Sequence, residues 1–231
     1  YIAAGRVIAI SGIEHVARER DPFIIALNHS TRLEAVLVPA LLMLARHGRQ
    51  VHFLADWNFR LVPGVGLLYR RSGAITIARK PARPRFLNAA RELFRSDVPP
   101  LEQARRKLVA GRSIGIFPEG TVNRDPGRLL RGRAGMARLS LETGVPVVPA
   151  GIRYGIGPSA GDAAEGAPMD IRIGEPLVPP DPNDSEPDAE TTRLWHDRIM
   201  HAIARQSGKT YRPRREENGH ETPSTDPWQA R

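Results

Sequence analysis

The 231-residue sequence contains no cysteine. Structural disulfides, thiolate nucleophiles and cysteine-ligated zinc are therefore excluded. Aromatic residues make up only 6% of the chain, so the stacking platforms that bind single-stranded nucleic acid are scarce. Long apolar runs are missing too. The longest, residues 35–45, is interrupted by Pro39, whereas a membrane-spanning helix needs about 20 apolar residues. No internal repeat and no Gly-rich nucleotide fingerprint occurs. Acidic side chains are in deficit: 25 Asp and Glu face 34 Lys and Arg, a net charge of +9. A chain this basic suits an anionic partner: nucleic acid, a membrane surface or a phosphorylated substrate, among which charge alone does not choose. With no nucleic-acid motif in the sequence, nucleic acid is not an expected partner.

What is present is an ordinary globular composition, 41% hydrophobic, in a length that buries one good-sized core. Apolar strand-like runs fall at residues 6–13, 23–27, 50–55, 73–77, 113–117, 145–152 and 170–173. Helix-like periodicity falls at 31–46, 86–95, 101–110, 135–143 and 189–206. Residues 58–69, rich in Gly and Pro, read as a loop plus a short helix. This alternation argues for an α/β layered domain. One domain is expected over 1–206, with its motifs within 23–154. Residues 207–231, polar and nearly without apolar side chains, read as a disordered tail. The chain opens on Tyr1 rather than Met, which leaves room for an anchor upstream.

The most informative stretch is Asn28-His29-Ser30-Thr31-Arg32-Leu33-Glu34. A histidine just past a buried strand sits at the sheet's C-terminal edge, where ligand sites of open α/β sheets lie. Such an imidazole can take a proton from an alcohol attacking a carbonyl carbon. It works better when its other ring nitrogen donates to a carboxylate. Glu34 is one candidate for that carboxylate. It also completes a capping box, Thr31-x-x-Glu34, folding back onto the Thr31 N–H of a helix starting at Arg32. Both readings stand on the sequence, and a carboxylate has oxygens enough for both.

A second cluster, Phe117-Pro118-Glu119-Gly120-Thr121, closes another strand-like run. Its carboxylate, tight turn and hydroxyl suit a polyol or a phosphate-bearing acceptor. Arg79 follows the strand at 73–77 and can bind phosphate through charge-assisted bonds. Arg124, Arg128, Arg131 and Arg133 follow the Glu-Gly-Thr turn. The seven histidines include no convincing ligand cluster, and no metal is assigned.

Read in order, these segments resemble the glycerolipid acyltransferase family. That family carries Asn-His with a carboxylate five residues after the histidine, here Asn28, His29 and Glu34. Its Gly-x-x-x-x-x-Arg strand is matched by Gly73 and Arg79. Its Phe-Pro-Glu-Gly-Thr motif is matched fully at 117–121, and its Val-Pro-Val-Val-Pro strand at 145–149. Arg133 and Gly135 fall where the family often has Lys-x-Gly. Three departures are visible: Glu34 stands for the usual Asp, Val122 for the usual Arg, with Arg124 two residues on, and Thr76 and Ala78 replace other types in the second motif.

The resemblance implies a layered mixed sheet flanked by helices. It implies O-acyl transfer from acyl-CoA or acyl-carrier protein, as co-substrate rather than cofactor, to a lysophospholipid such as 1-acylglycerol-3-phosphate. His29 and Glu34 would be catalytic. Arg79, Glu119, Gly120, Thr121, Arg124 and Arg133 would hold the acceptor. The enzyme would sit on the cytoplasmic face of an anionic membrane. The apolar segment at 61–69, followed by Arg70 and Arg71, reads either as an interfacial patch or as a loop packed over the core. The alternative is a weakened member that binds lipid or acylates a different lipid alcohol.

Overall fold

A computed structural model of the chain describes residues 6–62, 64–78, 81, 85–155, 164–180 and 187–213. Seven strands form one sheet: β1 (Val7–Ser11), β2 (Ile24–Leu27), β3 (His52–Asp56), β4 (Ile75–Ile77), β5 (Ile114–Ile116), β6 (Val147–Tyr154) and β7 (Met169–Ile173). Their order is β1-β7-β6-β2-β5-β3-β4. Every pairing is parallel except β6 with β7, which is antiparallel. The sheet is thus mixed, as the resemblance implies.

Five α-helices flank it: α1 (Glu34–Ala45), α2 (Val65–Arg71), α3 (Pro100–Val109), α4 (Gly135–Thr143) and α5 (Ala189–Ser207). The strand β2 lies at the centre and is buried along its length. Successive side chains of a strand point to opposite faces, and β2 divides accordingly. Ile24 and Ala26 join Leu108 of α3, Leu139 of α4, and Trp195 and Ile199 of α5. Ile25 and Leu27 join Leu37, Val38 and Leu42 of α1. Both faces being covered explains why β2 reads as an unbroken apolar run rather than an alternating one.

Local chemistry explains two departures from regularity near the site. Pro39 lies inside α1 and has no N–H to give the carbonyl of Ala35. The buried Tyr69 hydroxyl of α2 donates to that carbonyl instead, at 2.7 Å, and α1 continues. Gly151 of β6 lies against α5, where a Cβ would stand 2.1 Å from the backbone of Gln206 and Ser207. Only a glycine lets the last helix pack this close.

The expected elements are present, with three shifts. Residues 85–94 form a 3-10 helix with no buried residue instead of an α-helix. Helix α1 starts at Glu34 rather than Arg32. The polar stretch expected to be a tail from residue 207 is packed over its first part: Ser207 and Tyr211 are buried, the Thr210 N–H donates to Gly127 O, and the Leu129 N–H donates to Thr210 O. Those inter-loop bonds, invisible to composition, order it. Residues 214–231 lie outside the described residues.

Candidate active site

Parallel strands β2 and β5 end side by side, so the loops that follow them meet at one sheet edge. Asn28 continues β2 without being part of it. Its side-chain amide donates to the Ile152 carbonyl at 3.0 Å, and its carbonyl accepts from the Ile152 N–H at 2.7 Å. This reproduces a rung of the ladder with β6 and fixes where His29 starts. The His29 N–H then donates to Glu119 Oε1 at 3.0 Å, and its carbonyl accepts from the Asn123 N–H at 2.7 Å. The imidazole stacks on Phe117, ring centres 4.4 Å apart.

The ring's Nδ1 lies 2.8 Å from Glu34 Oε2. Glu34 is wholly buried and takes two more donors, Ser30 N–H on Oε2 at 2.8 Å and the Tyr154 hydroxyl on Oε1 at 2.6 Å. Three donors converge on this carboxylate, so Nδ1 carries the hydrogen and Nε2 keeps its lone pair. Burial, and after it the Glu34 charge, push the Tyr154 hydroxyl well above its ordinary range. It therefore stays protonated and donating. The Thr31 hydroxyl, 2.9 Å away, donates to Tyr154 in turn. The chain of bonds runs Thr31, Tyr154, Glu34, His29.

The capping box is not formed. Glu34 is the first residue of α1, and Leu33 before it offers no side-chain cap. The free amides of Arg32 and Leu33 donate instead to the two oxygens of Glu165, at 3.1 and 3.4 Å. Glu34 is drawn away from the helix end because three buried donors compete for it, and a carboxylate from a distant loop takes over the cap.

The Glu-Gly-Thr turn is closed by Gly120 N–H donating to Phe117 O at 3.0 Å, with Gly120 at φ 67°. Both oxygens of buried Glu119 are engaged by the protein. Besides His29, its partners are Asn123 Nδ2 at 2.7 Å and Leu130 N–H at 2.9 Å on Oε2. Thr121 is exposed. Exposed Arg124 stands 3.6 Å from Glu165. Arg133 is also exposed, its guanidinium beside Gly120 and its N–H on Pro118 O at 2.9 Å. The structure thus brings His29, Glu34, Glu119, Gly120 and Arg133 together and leaves Thr121 and Arg124 on the rim. Arg79 lies outside the described residues. Among the described residues no group of His, Asp and Glu is arranged to hold a metal.

Two participants were not foreseen from sequence. Tyr154 had a signal: it continues the face of β6 that carries Val148, Ala150 and Ile152, so its polar tip falls at the sheet edge. Lys209, whose Nζ donates to Ser30 Oγ at 3.0 Å, had none.

Residues 7–153 match the Acyltransferase family, and the chain belongs to that family. It is 27% identical over 140 residues to the chloroplastic 1-acyl-sn-glycerol-3-phosphate acyltransferase BAT2 of Brassica napus, which covers 61% of this chain and 35% of that one. It is 28% identical over 142 residues to the chloroplastic enzyme of the same name, LPAT1, of Arabidopsis thaliana, covering 62% of this chain and 35% of that one. The chain therefore spans about a third of the length of these curated relatives. Its fold is similar to that of the 1-acyl-sn-glycerophosphate acyltransferase PlsC of Thermotoga maritima, with TM-score 0.56, 22% identity and coverage of 87% of this chain and 72% of that one.

Proposed function

We propose that this chain moves a fatty acyl group from an acyl thioester to the hydroxyl of a lysophospholipid such as 1-acylglycerol-3-phosphate. The observation that carries the reading is the His29–Glu34 pair, buried, joined at 2.8 Å and aligned by its neighbours. Membership of the Acyltransferase family and the names of the relatives support it. His29 Nε2 takes the proton of the acceptor hydroxyl as its oxygen bonds to the thioester carbonyl carbon. The carbon–sulfur bond of the resulting tetrahedral adduct then breaks. The imidazolium returns the proton to the leaving sulfur, giving an ester and a free thiol. Glu34 holds the ring's tautomer and stabilises the imidazolium.

Glu34 carries one methylene more than the family's usual aspartate, and the fold accommodates it. Because α1 begins at Glu34, the longer side chain reaches His29 within hydrogen-bond distance. Within this reading Glu119 shapes the site by holding the His29 N–H. Arg79, Gly120, Thr121, Arg124 and Arg133 meet the acceptor's phosphate and glycerol. Among the described residues no helix is long and apolar enough to cross a membrane. Exposed Val62, Leu67, Arg70 and Arg71 form the face for an anionic membrane, on its cytoplasmic side, while Gly66 and Tyr69 of the same segment are buried.

The test is a panel of lysophospholipid acceptors offered with acyl-CoA and with acyl-carrier protein, read by product mass. Acceptor-dependent ester formation that His29→Ala abolishes is the expected result. Turnover that survives His29→Ala at the original rate overturns the reading. Lipid binding with no product from any pair would favour the weakened, lipid-binding alternative.

A further inference from the structure

The family match ends at residue 153, but the site does not. After α5 the chain turns at Gly208 and runs as a strap alongside the loop that follows β5. The Thr210 N–H donates to Gly127 O at 2.8 Å, and the Leu129 N–H to Thr210 O at 2.9 Å. Both anchoring bonds are made by Thr210, and Lys209 stands directly before it. Its Nζ donates to Ser30 Oγ at 3.0 Å and to the Asp125 carbonyl at 2.7 Å. One ammonium therefore joins the His29 loop to the Glu-Gly-Thr loop.

The electrostatic setting gives this cation a second role. His29 lies between two buried carboxylates, Glu34 at its ring and Glu119 at its backbone N–H. Buried anions destabilise a fold unless hydrogen-bonded and balanced by opposite charge. Both carboxylates are hydrogen-bonded, and the half-buried Lys209 feels the charge of both, as well as that of Asp125. Burial lowers the Lys209 ammonium's affinity for its proton, while Glu119, Glu34 and Asp125 oppose that. Arg124 turns instead to Glu165 at the rim.

We propose that Lys209 is a positioning residue of the His29 site, locking residues 28–33 to residues 121–131 and balancing the two carboxylates that flank the imidazole. It does not touch the acceptor. Without that ammonium the two buried carboxylates beside the imidazole have no opposite charge from the strap to balance them. The inference rests on the acyl-transfer reading for its kinetic part and stands apart from it for its structural part.

The experiment uses the full chain with Lys209→Met, Lys209→Arg and Lys209→Gln. Acyl transfer is followed as kcat and acceptor KM. Amide hydrogen exchange of segments 28–33 and 121–131 is followed without substrate. Lys209→Met is expected to lower kcat about tenfold, as expected for loss of a charge-assisted bond, with acceptor KM within about twofold. It should speed exchange in both segments while β2 and β5 keep theirs. Lys209→Arg should hold both readouts near the wild type. Lys209→Gln keeps a donor without the charge; it should retain exchange protection yet lose kcat. Unchanged exchange in Lys209→Met, or in Lys209→Ala should Lys209→Met not fold, overturns the lock. A full kcat in Lys209→Gln overturns the charge balance. A raised acceptor KM with kcat intact would make Lys209 a substrate contact and also overturns the proposal. If no acyl transfer is found in the wild type, the acyl-transfer reading fails while the exchange arm still decides the lock.

Discussion

Replacing Glu34 by glutamine separates charge from shape at the point where the site is most tightly determined. Three donors meet this side chain, two on Oε2 and one on Oε1. A glutamine carbonyl placed at the Oε2 position keeps the His29 and Ser30 bonds. Its amide nitrogen then faces the Tyr154 oxygen, which accepts once the tyrosine hydrogen turns to Thr31. The number of hydrogen bonds is preserved and only the negative charge goes. A neutral bond contributes about 0.5–1.5 kcal/mol and one to a charged group about 1.5–3 kcal/mol. The folded state should therefore lose little, on the order of 1 kcal/mol. The step that forms the imidazolium should lose roughly 1.5–3 kcal/mol, a fall in kcat of about 10- to 150-fold. Acceptor-dependent thiol release from acyl-CoA gives kcat and both KM values, and a melting curve gives the fold. A kcat within twofold of wild type in a normally melting variant would refute the orienting role of Glu34.

Further expectations rest on the same geometry. Tyr154→Phe should lower kcat by about tenfold with KM little changed, and combined with Glu34→Gln the losses should not add; simple additivity in that double-mutant cycle would separate Tyr154 from the pair. Arg46, nearly fully buried, is paired with Asp21 at 2.6 Å, so Arg46→Ala should destabilise by about 3–5 kcal/mol in denaturant unfolding. Burial alone would raise the Asp21 carboxyl, but hydrogen bonds from Ser113, Arg46 and Arg49 outweigh it and hold the carboxyl below its ordinary range. The stability from that depressed carboxyl is present above the unfolded-state value near pH 3.9 and is lost as pH falls through the folded one; acid titration of the melting point should show it, and Asp21→Asn should flatten that limb. Gly120→Ala forces a side chain into a left-handed turn and within 3.2 Å of Arg133 Nε, so it should cost about 1–2 kcal/mol in unfolding and reduce turnover more than Thr121→Ala does.

The strands were legible because each is a short apolar run closed by a polar motif, and the place of His29 followed from that alone. Glu34 was ambiguous for a physical reason. Its local pattern is a good capping box, and what overrides it lies far along the chain: Tyr154 is 120 residues on, and Glu165, which replaces the cap, is 133 residues from Arg32. Lys209 is 179 residues from Ser30 and sits in a segment whose composition reads as tail. Glu119 was legible as a site residue but not in its contacts, because its donors come from a loop whose path the sequence does not set. The 3-10 character of residues 85–94 shows the reverse case, where helix-like periodicity has no core to pack against.

The Asn28 amide, which imitates a rung of the ladder between β2 and β6, has a consequence for how the protein fails. His29 begins where a backbone-like bond pair ends, and its own N–H and carbonyl are both taken up by the neighbouring loop. Such a residue cannot fray on its own, since releasing it means freeing the loop after β5 as well. Heat should therefore loosen the two loops together, never the His29 loop ahead of its neighbour.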